Sequence, residues 1–273
     1  MQLRLLHIVA LSGVLGLSAC VTPIAEHIPL APSSQASVGS TDLVMPIAQS
    51  EIYVVVPASN VSAATGGGLL GALIDAGVDS SRTKKAQAAI KPLRDAVVDL
   101  DIDTILRDDL KASLSTVNWL HVNGARVVKT ATPASLDQTI TDSKEGAVLV
   151  VSVDYHLSVD ASTLEIVVSA NMYANNAALT AVKPKGGRGA KSDISNAIYR
   201  NTVTYKATVA NATGDRDHNI AAWAANNGEP LRAALRESSA KVAKMMASDI
   251  DGQMTAMRGK IGGGTVPTAA LGH

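Results

Sequence analysis

Several short stretches of this chain have residue types and spacings that could do chemistry. Gly66-Gly67-Gly68-Leu69-Leu70-Gly71 reads G-x-G-x-x-G, the pattern that lets a backbone approach a dinucleotide pyrophosphate. That chemistry needs a tight turn directly after a strand and a helix N-terminus facing the phosphates. Here eight residues separate Pro57, which stops the preceding β-branched run, from Gly66. The stretch about twenty residues on, where an acidic strand end belongs, reads as helix, so no dinucleotide is expected. Asp99, Asp101 and Asp103 alternate like calcium-loop ligands, but Thr104 and Leu110 replace the required glycine and glutamate. Acids there suit a helix N-terminus instead. Ser81-Arg82-Thr83-Lys84 and Ser238-Ser239-Ala240-Lys241 each space a serine nucleophile and a lysine by S-x-x-K, without the S-D-N and K-T-G companions. His27, His121, His156, His218 and His273 are scattered, with no two-cysteine or H-E-x-x-H spacing. No catalytic set, cofactor or metal site is expected.

One residue does have a chemical setting. Cys20 is the sole cysteine, and Leu17-Ser18-Ala19 precede it. Arg4 supplies a positive start, and an apolar run from Leu5 to Leu17 follows, too short and too early to span a bilayer. These residues resemble the signal peptide and lipobox of bacterial lipoproteins. The resemblance implies removal of residues 1–19, lipid on Cys20, and anchoring of the mature chain to a membrane. Val21 stands where lipoproteins kept in the inner membrane carry aspartate, which implies the outer membrane and a periplasm-facing domain. With Cys20 lipidated, no intrachain disulfide can form, and the domain must rely on its apolar core.

Composition narrows the rest. Twenty-four basic and twenty-four acidic residues cancel, leaving no field for nucleic acid. Apolar residues make up 47% but aromatics only 3%, with no phenylalanine, so the core must be aliphatic.

Residues 20–50 contain four prolines and no sustained periodicity, and read as the lipidated N-terminus and a flexible tether of roughly 30 Å r.m.s. span. Residues 51–250 read as a single α/β domain. Its first strand is expected at 51–57. Helices follow over 86–117 with a break near 99–103, marked by apolar residues from Val98 to Val117 at three- and four-residue steps. A strand is expected over 119–128, and a short helix starting at Thr132-Pro133. Residues 147–157 begin as an apolar run and then alternate, as do 164–172 and 202–209, which gives an antiparallel sheet with one apolar face. A final helix starting at Asn227-Gly228-Glu229-Pro230 carries an apolar stripe from Leu231 to Ile250 that can cover that face. The expected fold is therefore α/β (α+β), a mixed and mostly antiparallel sheet covered by helices on one face. Residues 251–273 read as a disordered Gly-rich tail. In element order and strand pattern, residues 51–250 resemble the α/β domain of curli-assembly and penicillin-binding-protein-activator lipoproteins.

Two surface features remain. Lys183, Lys185, Arg188 and Lys191 form a basic, glycine-rich loop, either solvated or set to touch anionic groups of lipid or lipopolysaccharide. Gly67, Gly71, Gly68, Ala72 and Ala76 fall at four-residue steps, which on a helix make a strip for close helix contact and otherwise mark a flexible loop. The functional expectation is a lipid-anchored envelope lipoprotein that is not an enzyme. It would act in binding or assembly, with a second copy or another envelope protein as partner. A subunit of a secretion or export assembly and an envelope hydrolase are the alternatives.

Overall fold

The computed structural model describes residues 27–56, 80–181 and 189–253. The leader, Cys20, the Gly67–Ala76 strip, and Lys183, Lys185 and Arg188 lie outside the described residues. Lys191 is described and is exposed in the turn that leads to a 3₁₀ helix at Ile194–Asn196.

The sheet is built around β4 (Ala147–Leu157). Its first five residues are all buried, Ser152 to Tyr155 alternate, and Tyr155, His156 and Leu157 are buried again. That pattern follows from cover. The main helical layer packs on one face throughout, whereas the other is roofed only near the start of β4. There α5 (Pro133–Asp142) places Ile140 and Leu136 against Val44, Val148, Val150 and Tyr173. Thr132 caps α5 by accepting from Ser135 N, and Pro133 sits in its first turn, as the sequence predicts.

β4 pairs antiparallel with β5 (Thr163–Ala174), and β5 with β6 (Ala197–Thr208). On its other side β4 pairs parallel with β1 (Ser40–Pro46), which also pairs parallel with β3 (His121–Val128). The six-stranded order is β3-β1-β4-β5-β6, with β2 (Tyr53–Val54) joining the far end of β4. The fold is mixed α/β, and its two long ladders are antiparallel.

β1 corrects the expected tether. Residues 27–50 are built into the domain: Ile28 bridges Arg200 through two 2.9 Å backbone bonds, α1 (Pro32–Val38) follows, and β1 runs through the middle of the sheet. Leu43, Val44 and Met45 are fully buried. A central parallel strand is covered on both faces, so it shows a short apolar run instead of alternation. The domain thus starts by residue 27, and the strand expected at 51–57 shrinks to Tyr53–Val54.

The helical layer consists of α2 (Ser80–Ala89), α3 (Lys91–Val97), α4 (Ile102–Leu114) and α7 (Arg216–Ile250), while the short α6 (Ala177–Thr180) follows β5. Ile102, Leu106, Leu110 and Leu114 bury one stripe of α4 at four-residue steps. α7 is two arms joined by a kink, which is the reversal of backbone hand at Asn226 to Gly228. Ala225 is extended, and Asn226, Asn227 and Gly228 are all left-handed. The second arm restarts there, with Leu231, Leu235, Val242, Met246 and Ile250 buried on the sheet. The first arm was not legible. It clamps the β4–β5 turn: Trp223 Nε1 donates to Ala161 O (2.8 Å) and Asn219 Nδ2 to Asp160 O (2.9 Å).

The start of the domain lies against its last helix. Asp249 is buried, accepts from the Tyr199 hydroxyl at 2.8 Å, and lies 3.2 Å from His27 Nε2. Burial, then the Asp249 charge, push the Tyr199 phenol up, so it stays a donor.

Candidate functional site

The parallel half of the sheet contains a break, and the break makes a cleft. β1 stays beside β4 only as far as Val44 opposite Val150, and β2 resumes at Tyr53 opposite His156. Between them residues 47–52 arch away, leaving Tyr155, which is paired with Ile166 of β5 on one side, without a strand partner on the other. Gln49 replaces the strand: its Nε2 donates to Tyr155 O (2.6 Å) and its Oε1 accepts from Tyr155 N (3.1 Å). An unpaired backbone pair at such a depth would cost about 1–3 kcal/mol per group.

The arch is held from several directions. Ile47 and Ile52 are buried at its two ends. Lys129 Nζ, just past β3, donates to Gln49 O (2.6 Å), and Arg94 Nε of α3 donates to Ile52 O (2.9 Å). Gln87 of α2 donates to Val54 O (3.1 Å).

Between the arch, the end of α3 and the start of α4 lies a cleft of about 320 Å³. Ser50, Glu51 and Ile52 form one wall. Arg94, Asp95, Val97 and Val98 form the second, and Leu100 to Asp103 the third. Tyr155 and Leu235 also line it. The cleft sits beyond the carboxyl ends of β1 and β3, where open α/β sheets place their ligands.

Its electrostatics are acidic with partial compensation. Glu51 lies 3.2 Å from Arg94, and Asp103 lies 2.5 Å from Lys129. Asp101 caps α4, accepting from Thr104 N (3.0 Å) and Thr104 Oγ1 (2.7 Å). These two bonds hold its carboxyl below the usual carboxylate range, helped weakly by Arg107 and Lys129. The Asp99–Asp103 run is thus a helix start, as the sequence indicates. Tyr155 is 4% exposed. Burial first, then Asp103, Asp154, Asp101 and Glu51, push its phenol up. Its backbone is bonded to Gln49, but among the described residues its hydroxyl has no hydrogen-bond partner.

A second constellation lies on the opposite face of β4. The Tyr53 hydroxyl donates to Asp154 Oδ1 and Oδ2 (3.0 and 2.9 Å), and His156 Nδ1 lies 2.9 Å from Asp154 Oδ2. The Tyr53 and His156 rings stack at 5.3 Å, which leaves His156 only 7% exposed on a face where alternation predicts solvent. Glu165 stands opposite His156 and pairs with Lys206 at 2.8 Å. An Asp–His pair fixes the imidazole tautomer, as a general base requires. Among the described residues no serine, threonine or cysteine hydrogen-bonds His156 to complete a nucleophilic set.

The second S-x-x-K does not assemble either. Ser238 is buried while Lys241 is exposed, and Ser239 donates to Asp109 at 2.6 Å. Among the described residues no group of three or more His, Cys, Asp or Glu side chains could hold a metal ion.

No protein-family model matches the chain, and no curated protein does. Among solved structures, it is similar to XCC0632 from Xanthomonas campestris, of family DUF330, with a TM-score of 0.36 and 12% identity. That match covers 86% of this chain and 97% of the other. It is also similar to PelC from Paraburkholderia phytofirmans, crystallised as a dodecamer, with a TM-score of 0.27 and 12% identity over 76% of this chain and 88% of that one.

Proposed function

We propose that the chain is a bacterial cell-envelope lipoprotein, anchored through lipid on Cys20, whose α/β domain binds a ligand or partner and does not catalyse a reaction. The observation that carries the binding role is the cleft at the strand break, where a largely buried phenol with a free hydroxyl meets a cluster of acidic side chains. The partner is a small ligand, a second copy of the chain or another envelope protein, and membership of a secretion or export assembly is compatible with each.

Leu17-Ser18-Ala19-Cys20 supports the anchor. The fold then sets how near the membrane the domain lies. His27, next to Ile28 and its backbone bridge to Arg200, is seven positions after Cys20, and seven extended residues reach at most about 25 Å. The domain is accordingly held close to the lipid surface, in place of the loose tether that composition suggested.

Asp154 and His156 favour a second reading, an envelope hydrolase with His156 as general base. It needs a nucleophile or an activated water beside Nε2.

Val21 after the cysteine supports the outer membrane as the location. Sucrose-gradient fractionation of cells is expected to band the protein with outer-membrane markers. Banding with inner-membrane markers overturns that location, and recovery in the soluble fraction overturns the anchor.

A further inference from the structure

We propose that the cleft beside Tyr155 takes an alkylammonium group, a protonated amine on a short aliphatic chain. The inference deepens the binding role proposed above and rests on it. Three features of the site select this chemistry. Asp101 sits at the mouth with its carboxyl ionised by the Thr104 bonds, and among the described residues no basic side chain lies within salt-bridge distance of it. Glu51 and Asp103, by contrast, already have Arg94 and Lys129. The charge left available in the cleft is therefore negative, which disfavours an anion.

The second feature is Tyr155. Its side chain is more than nine-tenths buried, lines the cleft, and carries a hydroxyl with no partner. The oxygen is not among the sealed, unpartnered polar atoms of the described residues, so it stays accessible and can accept from an ammonium N–H. The third is the wall between them. Val97, Leu100 and Leu235 continue into Val98, which is 84% exposed at the rim. This apolar path suits methylenes and is poorly used by a hydrated metal ion. A volume of about 320 Å³ holds a chain of several carbons or one long side chain.

Free amines and the lysine of a partner protein share this chemistry, so the test separates them. The full chain, purified in detergent, is titrated calorimetrically with n-hexylammonium, n-hexanol, hexanoate and Nα-acetyl-lysine methylamide. Hexylammonium is expected to saturate, with hexanol weaker by about tenfold, the worth of one charge-assisted contact. Asp101→Asn keeps a good helix cap while removing the charge, and is expected to weaken hexylammonium by about tenfold. Tyr155→Phe removes only the hydroxyl and is expected to cost about fivefold. Both variants should keep the wild-type circular dichroism. Saturation by hexylammonium alone assigns a free amine, and saturation by the lysine amide as well assigns a side chain of a partner. Failure of hexylammonium to saturate overturns the proposal, as does equal binding of hexanol, or an Asp101→Asn variant that is folded and binds unchanged. In any of those cases a crosslink from the cleft rim in cells still separates loss of this ligand class from loss of the binding role.

Discussion

Cys20→Ala is expected to abolish incorporation of radioactive palmitate and to leave the leader uncleaved, an all-or-none change. The thiol of Cys20 is the only one in the chain, so no neighbour can take the lipid in its place. The energetics of anchoring make the consequence equally sharp. Each buried methylene contributes about 0.8 kcal/mol, yet one acyl chain gives only marginal binding of roughly 10⁴ M⁻¹, and two or more are needed for stable attachment. Without the lipid, a processed domain would therefore leave the membrane. Continued palmitate labelling of the Cys20→Ala protein contradicts the lipidation reading outright.

Gly228→Ala is expected to produce a large loss of stability, because it combines backbone strain with a clash. Gly228 has φ +77°, where an L-residue costs about 1–2 kcal/mol. A Cβ there would also lie 2.6 Å from Ala96 Cβ, between the reversal in α7 and the end of α3. Both atoms belong to short, backbone-fixed groups, so the clash is relieved only by moving a helix, at a further cost of about 1–3 kcal/mol. Together these lower the melting temperature by roughly 5–15 °C for a domain of this size. Gly252→Ala provides the control, because its φ is +80° but nothing lies within 4 Å of the added Cβ. It should show only the conformational part. Thermal unfolding followed by circular dichroism separates the two, and equal shifts would show that the packing against Ala96 contributes nothing.

Alternation made the antiparallel half of the sheet legible. Val151, Val153, Tyr155 and Leu157 face the helical layer as the period-two pattern indicates, and the stripe from Leu231 to Ile250 packs over the neighbouring β5 and β6. Thr132-Pro133 and Asn227-Gly228 mark helix starts through local chemistry alone. β1 was hidden for the opposite reason: Leu43-Val44-Met45 is buried on both faces, and its flanking prolines and serines imitate a linker. His156 falls on the polar side of the alternation, and it is buried where the ring of Tyr53, far earlier in the chain, stacks on it. The cleft was illegible for a related reason. Tyr155 reads as one more inward residue, and its setting comes from Gln49, Glu51, Arg94 and Asp101, which no local spacing connects. Asp101 had a signal, as an acid at a helix start, but nothing in the sequence tied it to the broken strand pair.

The most direct test of the account is photocrosslinking in intact cells from a benzophenone side chain installed at Val98, on the rim of the cleft. The reference position is Ile194, which is also exposed, in the turn before β6 at the opposite end of the sheet. A binding domain that works through this cleft predicts a discrete adduct from Val98, none from Ile194, and a fainter Val98 adduct when Asp101→Asn is added. Equal adducts from both positions, or none from Val98, would contradict it.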